Sequence, residues 1–353
     1  FADYARTWAS YALILDSNGL NFQGNPDTYT VDYDTAGQSL NIVYSDSTKG
    51  WLPVSDDAVA FDHTPPPPQK AIFGYGNTGS VSSLSNLVSS SGVVASDVTG
   101  VGTARSQLGA AGYGTDKAIF GYGNTGSKVS LTNLVSSSGV VATDTTGVGT
   151  ARSTLAAAGY GTDKAIFAYG TTGSATAVSN LVSNAGVIAS DVSGVGTARV
   201  ELAAAGYGVD KAIFGYGNIS GSATSLSNLV SNVGVVASDV TGVGTARTAP
   251  AATGYGLDKA IFGYGDTGSV TAVTNLVNSS GVVATDVTGV GTARGHLAAA
   301  IYGADKAIFA YGYTTGNVSM SNLVSSSGVV ASDVTGVGTA RHTAAAAGYS
   351  LSA

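Results

Sequence analysis

Carboxylates are the residues of this chain best suited to chemistry, and beyond residue 63 nearly all of them recur at one spacing. One Asp follows the same hydrophobic segment six times, at Asp97, Asp144, Asp191, Asp239, Asp286 and Asp333. A second Asp precedes a Lys five times, at Asp116, Asp163, Asp210, Asp258 and Asp305. A calcium loop needs several oxygen ligands within about a dozen residues, whereas each unit offers one or two carboxylates with a cation beside them. We therefore predict exposed ion pairs, Asp–Arg at the turn between units and Asp–Lys within the unit, and no metal site.

Catalytic constellations are missing from the sequence. The chain has no Cys, and its three His, His63, His296 and His342, are far apart and lack a ligand partner at metal spacing. Glu201 is the only Glu, and Asp266 is the only Asp beyond residue 63 outside the repeated positions. Carboxylates in two different units could hydrolyse a glycosidic bond, but nothing in the sequence places this pair together. The sequence predicts a protein that is not an enzyme and needs no cofactor, with a polysaccharide hydrolase as an alternative.

These residues belong to a repeat of 47 or 48 residues that occurs six times. The segment KAIFGYGNTGS begins at Lys70 and again at Lys117, and close copies begin at Lys164, Lys211, Lys259 and Lys306. In one unit, Gly-rich turns separate four segments: STLAAAGY, KAIFAY, AVSNLVS and GVIASD. The scarcity of helix formers and the abundance of Val, Thr and Tyr predict an all-β protein. Four short antiparallel strands per unit suit the blade of a β-propeller, with the Ala-rich strand innermost.

The two ends of the repeat array are complementary. The first unit starts at Lys70, in its second strand, and the array ends with HTAAAAGYS at 342–350, a first strand with no second strand after it. A closed six-bladed β-propeller over 70–353, in which the C-terminal strand completes the first blade, explains this offset. An open solenoid would need atypical capping repeats, which the sequence lacks. A trimeric β-helix remains an alternative.

The unit resembles a divergent kelch repeat in its order of an inner strand, a second strand ending in glycines, and two outer strands. The glycines read GYG here, and the usual Trp is absent. It is more similar to the kelch-like repeats of bacteriophage tail fibre and adhesin proteins. This resemblance covers residues 70–350 and implies a virion protein, either a tail fibre or a receptor-binding module on an external appendage.

Residues 1–63 do not repeat, and alternating segments such as YTVDYD and LNIVYS predict a small β-rich domain. The stretch DTAGQSLNIVYSDSTKGWLP resembles a segment of phage fibre proteins near trimeric shafts. It implies a homotrimer attached through residues 1–63 to other virion proteins; an ordinary acidic β-domain is the alternative. Residues 64–69 read as a Pro-rich, semi-rigid linker. Because the chain starts at Phe1 without Met or a charged leader, we expect it to be part of a longer product.

Charge and hydropathy exclude two classes of partner. The formal net charge of −7 is concentrated in residues 1–63, and the rest of the chain is close to neutral. Nucleic acid is not an expected partner, because phosphate affinity comes from clustered Lys and Arg. No run of 18 apolar residues occurs, so we expect no membrane insertion.

Tyr residues occupy two fixed positions in every unit, at the end of the first strand and at the end of the second. They could form aromatic platforms for sugars. Residues of this type more often pack between blades with the hydroxyl at the wet edge, and we favour packing.

Variation between units is concentrated at one end of the predicted strands, in the loop between the second and third strands and just after each Arg. The departures from the repeat there are Lys128, Glu201, Asp266, His296, Tyr313, Gln107 and His342. We predict that these candidate ligand-binding residues share one face, around a shallow polar depression. Ser-, Thr- and Asn-rich loops suit host cell-surface glycans. Drift in exposed loops, with a purely structural virion spacer as the function, is the alternative.

Overall fold

The computed structural model describes residues 3, 8, 10–26, 31–35, 38–55 and 68–352. The chain divides into two compact units, Phe1–Thr64 and Pro65–Ala353. The described residues form strands, bridges and turns but no helix, so none of these segments is a helix that could cross a membrane. His63 and most of the predicted linker 64–69 lie outside the described residues.

The described part of the first unit contains two small antiparallel pairs, in keeping with its alternating segments. These strands are β1 (Leu13–Leu15), β2 (Val31–Tyr33), β3 (Asn41–Asp46) and β4 (Gly50–Ser55). Strand β1 pairs with β2, and β3 forms a hairpin with β4. Phe22, Val31, Tyr33 and Leu40 form the buried core, against which Trp51 packs. The unit has its own core and is therefore a separate β-domain.

The second unit consists of short strands that follow the repeat. In chain order they are β5 (Lys70–Gly74), β6 (Ser85–Val88), β7 (Gly109–Tyr113), β8 (Lys117–Gly121), β9 (Thr132–Val135), β10 (Ala156–Tyr160), β11 (Lys164–Ala168), β12 (Ser179–Val182), β13 (Ala203–Tyr207), β14 (Lys211–Gly215), β15 (Asn218–Ile219), β16 (Ser222–Ala223), β17 (Ser227–Val230), β18 (Ala251–Tyr255), β19 (Lys259–Asp266), β20 (Val270–Val277), β21 (Ala298–Tyr302), β22 (Lys306–Ala310), β23 (Ser321–Val324) and β24 (Ala345–Tyr349). They form six three-stranded antiparallel sheets, β24-β5-β6, β7-β8-β9, β10-β11-β12, β13-β14-β17, β18-β19-β20 and β21-β22-β23. We call these repeat sheets 1 to 6; β15 and β16 form an extra hairpin in the loop of repeat sheet 4.

The chain ends pair as the offset of the array predicts. Strand β24 lies antiparallel to β5, with Ala347 opposite Ile72 and Tyr349 opposite Lys70. This register matches that of the other first strands, for example β10 on β11, where Tyr160 lies opposite Lys164. Repeat sheet 1 is therefore assembled from both ends of the second unit.

Hydrophobic cores lie between neighbouring repeat sheets. Strand β7 contacts β10, β10 contacts β13, β13 contacts β18, β18 contacts β21, β21 contacts β24, and β24 contacts β7. The Phe of each middle strand meets the Tyr that lies two residues after the Phe of the preceding sheet, as Phe120 meets Tyr75 with ring centroids 5.1 Å apart. Small residues in the first strands permit this close approach of six strands.

The prediction of four strands per unit is wrong, because the fourth segment forms only isolated bridges. In repeat sheet 3, Val182 bridges to Ile188 and Ser179 to Val192, so the register shifts by one residue between the two bridges. The side chain of Asn180 occupies this irregularity and donates to the carbonyl oxygen of Ala189 at 3.0 Å. A buried Asn side chain thus replaces part of the backbone ladder, and the same bond recurs in all six sheets.

Candidate functional site

The repeated Arg side chains are fully buried structural groups. Arg105 donates from Nε to the carbonyl of Tyr122 at 2.9 Å and from Nη2 to Oδ1 of Asn133 at 2.6 Å. Its guanidinium also lies 4.2 Å from the ring centroid of Tyr75, in the preceding repeat sheet. The Nε bond to a backbone carbonyl is present for Arg105, Arg199 and Arg294, whereas within the described part of the chain Nε of Arg152, Arg247 and Arg341 has no hydrogen-bond partner. The prediction of an exposed Asp–Arg pair is wrong, since all six Arg side chains lie in the core.

The repeated Asp has a different partner from the predicted one. Asp144 lies 3.8 Å from the Arg105 guanidinium, at the start of the same repeat sheet, and the predicted partner across the following turn was Arg152. Thr103 donates its backbone N–H and its hydroxyl to the same carboxylate. A Cβ on Gly102 would lie 2.5 Å from Asp144 Oδ1, so this close approach requires glycine. The Asp therefore ties the last segment of each sheet to the connection that enters it.

These Asp contacts predict a loss of stability in acid. Burial alone would raise the pKa of Asp97, but hydrogen bonds from Thr339 and Asn86 and the charge of Arg341 lower it below its ordinary value of 3.8. The pKa is lowered at all six equivalent carboxyls. Because the folded pKa lies below the unfolded one, the stabilisation is complete well above 3.8 and is lost as the pH falls through the folded value. We expect the urea midpoint of the second unit to be flat from pH 7 to about 5 and to fall below about pH 4.

The change Asp97→Asn is the control for this pH dependence, since it removes one of the six carboxyls. Its urea midpoint should be lower at neutral pH and should change less between about pH 5 and pH 3 than that of the unchanged chain. Parallel curves for the two proteins would show that these carboxyls do not cause the acid dependence.

The Asp–Lys pairs are exposed and local, as predicted. Lys117 Nζ lies 2.7 Å from Asp116 Oδ1, and the equivalent contact is present in five repeat sheets. Pairs of this kind contribute about 0–1 kcal/mol each. They mark the turn end of each sheet, which we define as the end carrying the turn between the first and second strands.

The repeated Tyr side chains pack between sheets, and the alternative of exposed sugar platforms does not hold. Tyr122 is buried, stacks at 5.3 Å on Phe167 of the next sheet and donates its hydroxyl to the carbonyl of Val148 at 3.2 Å. Burial raises its pKa to about 12, despite the nearby Arg152 charge. The other Tyr of this unit, Tyr113, is also buried.

The opposite end of the sheets, which we call the loop end, gathers the segments that vary between repeats. The residue after each Arg bridges to the first residue of a loop between second and third strands. These pairs are Ser106–Asn124, Ser153–Thr171, Val200–Asn218, Thr248–Asp266, Gly295–Tyr313 and His342–Asn77. Each repeat sheet therefore presents its two variable segments side by side.

A cycle of backbone hydrogen bonds lies at this loop end. The second residue after each Arg donates its N–H to the carbonyl of the equivalent residue in the preceding sheet, at 2.8–3.1 Å. The six residues are Gln107, Thr154, Glu201, Ala249, His296 and Thr343, and the first of them donates to the last. All six have positive φ, between 48° and 56°. His296 is the one member of this set whose residue type is enriched at positive φ, and Gln, Thr, Glu and Ala are not, so the sequence carries no consistent signal for the cycle.

A second cycle lies at the turn end. The amide of the residue directly after each first strand donates to the carbonyl of the residue before the Lys in a neighbouring sheet, as Gly114 donates to Asp163 at 2.7 Å. Gln69 takes the place of Asp in the first unit and accepts from Gly303. Ser350 donates to Asp116, so the chain ends take part in this cycle as well.

The cycle at the loop end encloses a small cavity of about 90 Å³. Its rim consists of the six residues of the loop-end cycle, all polar except Ala249, and the other lining residues are Leu108, Leu155, Leu202, Pro250, Leu297 and Ala344. Glu201 supplies the one carboxylate among these lining residues. The cavity can accept a small group with one apolar side and several hydrogen-bonding atoms.

The seven candidate residues all lie at the loop end, in three different settings. Gln107, Glu201 and His296 line the cavity. Tyr313 and His342 contact each other, with ring centroids 5.4 Å apart. The other two lie in loops outside the cavity lining: Asp266 bridges to Thr248, and Lys128 bridges to Asn124. Among the described residues, no group of three or more His, Cys, Asp or Glu is placed to hold a metal ion.

Sequence reasoning did not single out Asn317, which holds His342 by a hydrogen bond of 2.7 Å between Oδ1 and Nδ1. The sequence did mark this position, because Asn317 is the only Asn there: the equivalent residues of the other loops are Val81, Lys128, Ala175, Ala223 and Val270. Comparison of the chain with models of protein families and with curated proteins gave no match.

Proposed function

We propose that the second unit is a closed six-bladed β-propeller that serves as a non-enzymatic recognition module, with the loop end as its binding face. Three observations support closure: β24 completes the sheet of β5, the first strands contact one another in cyclic order, and both amide cycles return to their starting sheet. A closed array leaves no repeat sheet with an unpartnered face.

The separation of repeated from non-repeated residues carries the functional proposal. The residues shared by all six sheets, such as Arg105, Asp144 and Tyr122, are used inside and between sheets. The seven candidate residues that depart from the repeat lie at the loop end, and Gln107, Glu201 and His296 among them line one cavity. A ligand that binds at one place contacts side chains that differ from sheet to sheet. A scaffold of equivalent sheets uses the same side chains at the same position in each sheet.

Hydroxyl-rich ligands suit this face best. Its loops are rich in Ser, Thr and Asn, and it carries Lys128, Glu201 and Asp266 with no cluster of a single charge sign. Polar groups of this kind exchange hydrogen bonds with sugar hydroxyls, and the affinity of a single site of this size is low. We therefore propose a glycan of a cell surface as the ligand.

The biological setting follows from resemblance to phage fibre proteins. We propose that the chain is part of a tail fibre or similar virion appendage that contacts the host cell, that residues 1–63 attach it to other virion proteins, and that it forms a homotrimer. Three copies would raise a weak binding constant through multivalency. The β-rich first unit with its own core is consistent with an attachment domain.

Binding of the full chain to a glycan array tests the proposal. The loop-end variant carries Gln107→Ala and Glu201→Gln, and the matched turn-end variant carries Lys117→Ser and Asp163→Asn. We expect the loop-end variant to lose about ten-fold or more in affinity, equivalent to about 1.4 kcal/mol, while the turn-end variant binds like the unchanged chain.

Two results would overturn this proposal. Absence of binding to every glycan, and to intact host cells, would favour a structural spacer. Turnover of a surface polysaccharide that is lost in Asp266→Asn would favour the hydrolase, in which this carboxylate acts with Glu201.

A further inference from the structure

Four residues that break the repeat meet at one place on the loop end. They are His296, Tyr313 and Asn317 of repeat sheet 6 and His342 of repeat sheet 1, and we call them the ring cluster. At the Tyr313 position the other units carry Asn77, Asn124, Thr171, Asn218 and Asp266. At the His342 position they carry Ser106, Ser153, Val200, Thr248 and Gly295. Departures at four separate positions of the repeat therefore converge on one surface site.

The rings of this cluster are held in a fixed arrangement. The His342 ring lies edge-on to Tyr313 at 5.4 Å and to His296 at 6.1 Å, with interplanar angles of 63° and 69°. Asn317 Oδ1 bonds His342 Nδ1 at 2.7 Å, and Asn317 Nδ2 donates to the Asn77 carbonyl at 3.1 Å. A side chain held by two hydrogen bonds thus sets the plane of the central ring, which lowers the entropy lost on binding.

The ring cluster differs from the aromatic pairs of the core in its exposure. The repeated Tyr and Phe rings are buried between sheets, whereas Tyr313 is 40% exposed and His296 and His342 are half-buried. His296 also lines the cavity, so the rings continue its rim outward. Three aromatic rings that share an exposed site beside a cavity form a platform for a ligand with a flat apolar face.

The charge of the ring cluster favours an uncharged ligand. Burial, and then the nearby His296, lower the pKa of His342, and the backbone of Asn77 only partly opposes this. The other groups that contact His342 are the Tyr313 ring and the Asn317 amide, neither of which is a cation. A neutral ligand fits better than an anion such as a sialic acid or a phosphate, which would require a cationic partner.

We infer that the ring cluster is the stacking subsite for one neutral pyranose ring of the glycan, with its hydroxyls toward the rim at His296 and Asn317. Pyranoses have a C–H face that packs on aromatic rings and hydroxyl edges that take hydrogen bonds. This inference rests on the proposed recognition function and assigns the ligand's sugar class and position. The alternative is a purely structural role, in which the ring cluster acts as a clasp that holds repeat sheets 6 and 1 together where the chain ends meet.

The experiment uses the full chain and two defined probes, methyl β-galactopyranoside and methyl α-glucopyranoside, at millimolar concentrations. The chain has only three His, so the imidazole C–H signals of His296 and His342 can be assigned by NMR with single variants. We expect at least one of the two sugars to shift both signals, and the His63 signal to stay unchanged.

The test variants restore residues that other repeats already carry, so they should fold. Tyr313→Asn and His342→Ser are expected to weaken the sugar-induced response of the remaining His by ten-fold or more. Thr171→Asn makes the same kind of change at the equivalent position of repeat sheet 3, away from the ring cluster, and should leave the response intact. Tm should change little in all three variants.

Three outcomes would overturn the subsite. The first is no shift with either sugar, and the second is an unchanged response in Tyr313→Asn. The third is a marked drop in Tm with sugar binding retained, which would establish the clasp. Continued glycan-array binding that depends on Gln107 and Glu201 would, in each case, leave the recognition function standing, so the two failures are distinguishable.

Discussion

Removing residues 342–353 is expected to abolish the cooperative folding of the second unit. The deletion takes away β24, which pairs with β5 along five residues and buries Ala345, Ala347 and Tyr349. It also removes Thr343 from one amide cycle and Ser350 from the other. The lost hydrogen bonds and apolar burial amount to roughly 5 kcal/mol or more, which approaches the whole stability of a typical domain.

Different spectroscopic signals separate the two units in this experiment. Both Trp residues, Trp8 and Trp51, belong to the first unit, whereas most of the Tyr residues belong to the second. Near-UV circular dichroism of Tyr should lose its native signal in the deletion variant, while Trp fluorescence should keep its unfolding transition. Removal of twelve residues from the other end, 1–12, is the length-matched control and should leave the Tyr signal intact. An unchanged Tyr transition without β24 would rule out closure by this strand.

The pairing of the chain ends could be predicted because it follows from the number of strand segments in the first and last units. A first unit that lacks its first strand and a last unit that has a spare one admit few arrangements, and β24 on β5 satisfies this offset. The middle strands could be predicted for a similar reason, since KAIF is a β-type segment that is followed by a Gly-rich turn in every copy. Repetition also separated scaffold positions from variable positions without any structure.

Contacts that join distant parts of the chain could not be predicted from spacing. Asp144 lies nearer in sequence to Arg152, but it pairs with Arg105 because the last segment of a sheet returns beside the connection that enters it. The burial of the Arg side chain could not be predicted either. Its hydrogen-bond partners are backbone carbonyls and Asn133, which are uncharged and therefore leave no pattern of opposite charges in the sequence. The predicted fourth strand does not form as a continuous strand, because the side-chain amide of an Asn competes with the backbone hydrogen bonds of the ladder.

The sequence predicted which end of the sheets carries the candidate residues, but it did not predict which of these residues contact one another. Departures from the repeat identified the loop end, which is a property of strand direction alone. The meeting of Tyr313 with His342 depends on contact between repeat sheets 6 and 1. Only the cyclic order of the sheets brings those residues together.

Replacing one buried Arg is expected to cost far more than replacing one exposed Lys of the same unit. Arg105→Met removes the donors for the Tyr122 carbonyl and for Asn133 Oδ1, and it leaves the Asp144 carboxylate without its cation. Removing one partner of a buried charged network costs about 3–5 kcal/mol, because the remaining polar groups stay buried without partners. We expect the urea midpoint of the second unit, followed by Tyr circular dichroism, to fall accordingly.

Lys117→Met is the matched control, because it removes the same charge from the same unit and introduces the same side chain. Among the described residues, Lys117 forms an ion pair with the neighbouring Asp116 alone, and its side chain is 43% exposed, so the loss should stay below about 1 kcal/mol. Equal losses from the two changes would mean that burial does not determine the contribution of these cations. A large loss at Arg105 alone would establish that the repeated buried charges hold the sheets together, as the proposed division between scaffold residues and ligand-binding residues requires.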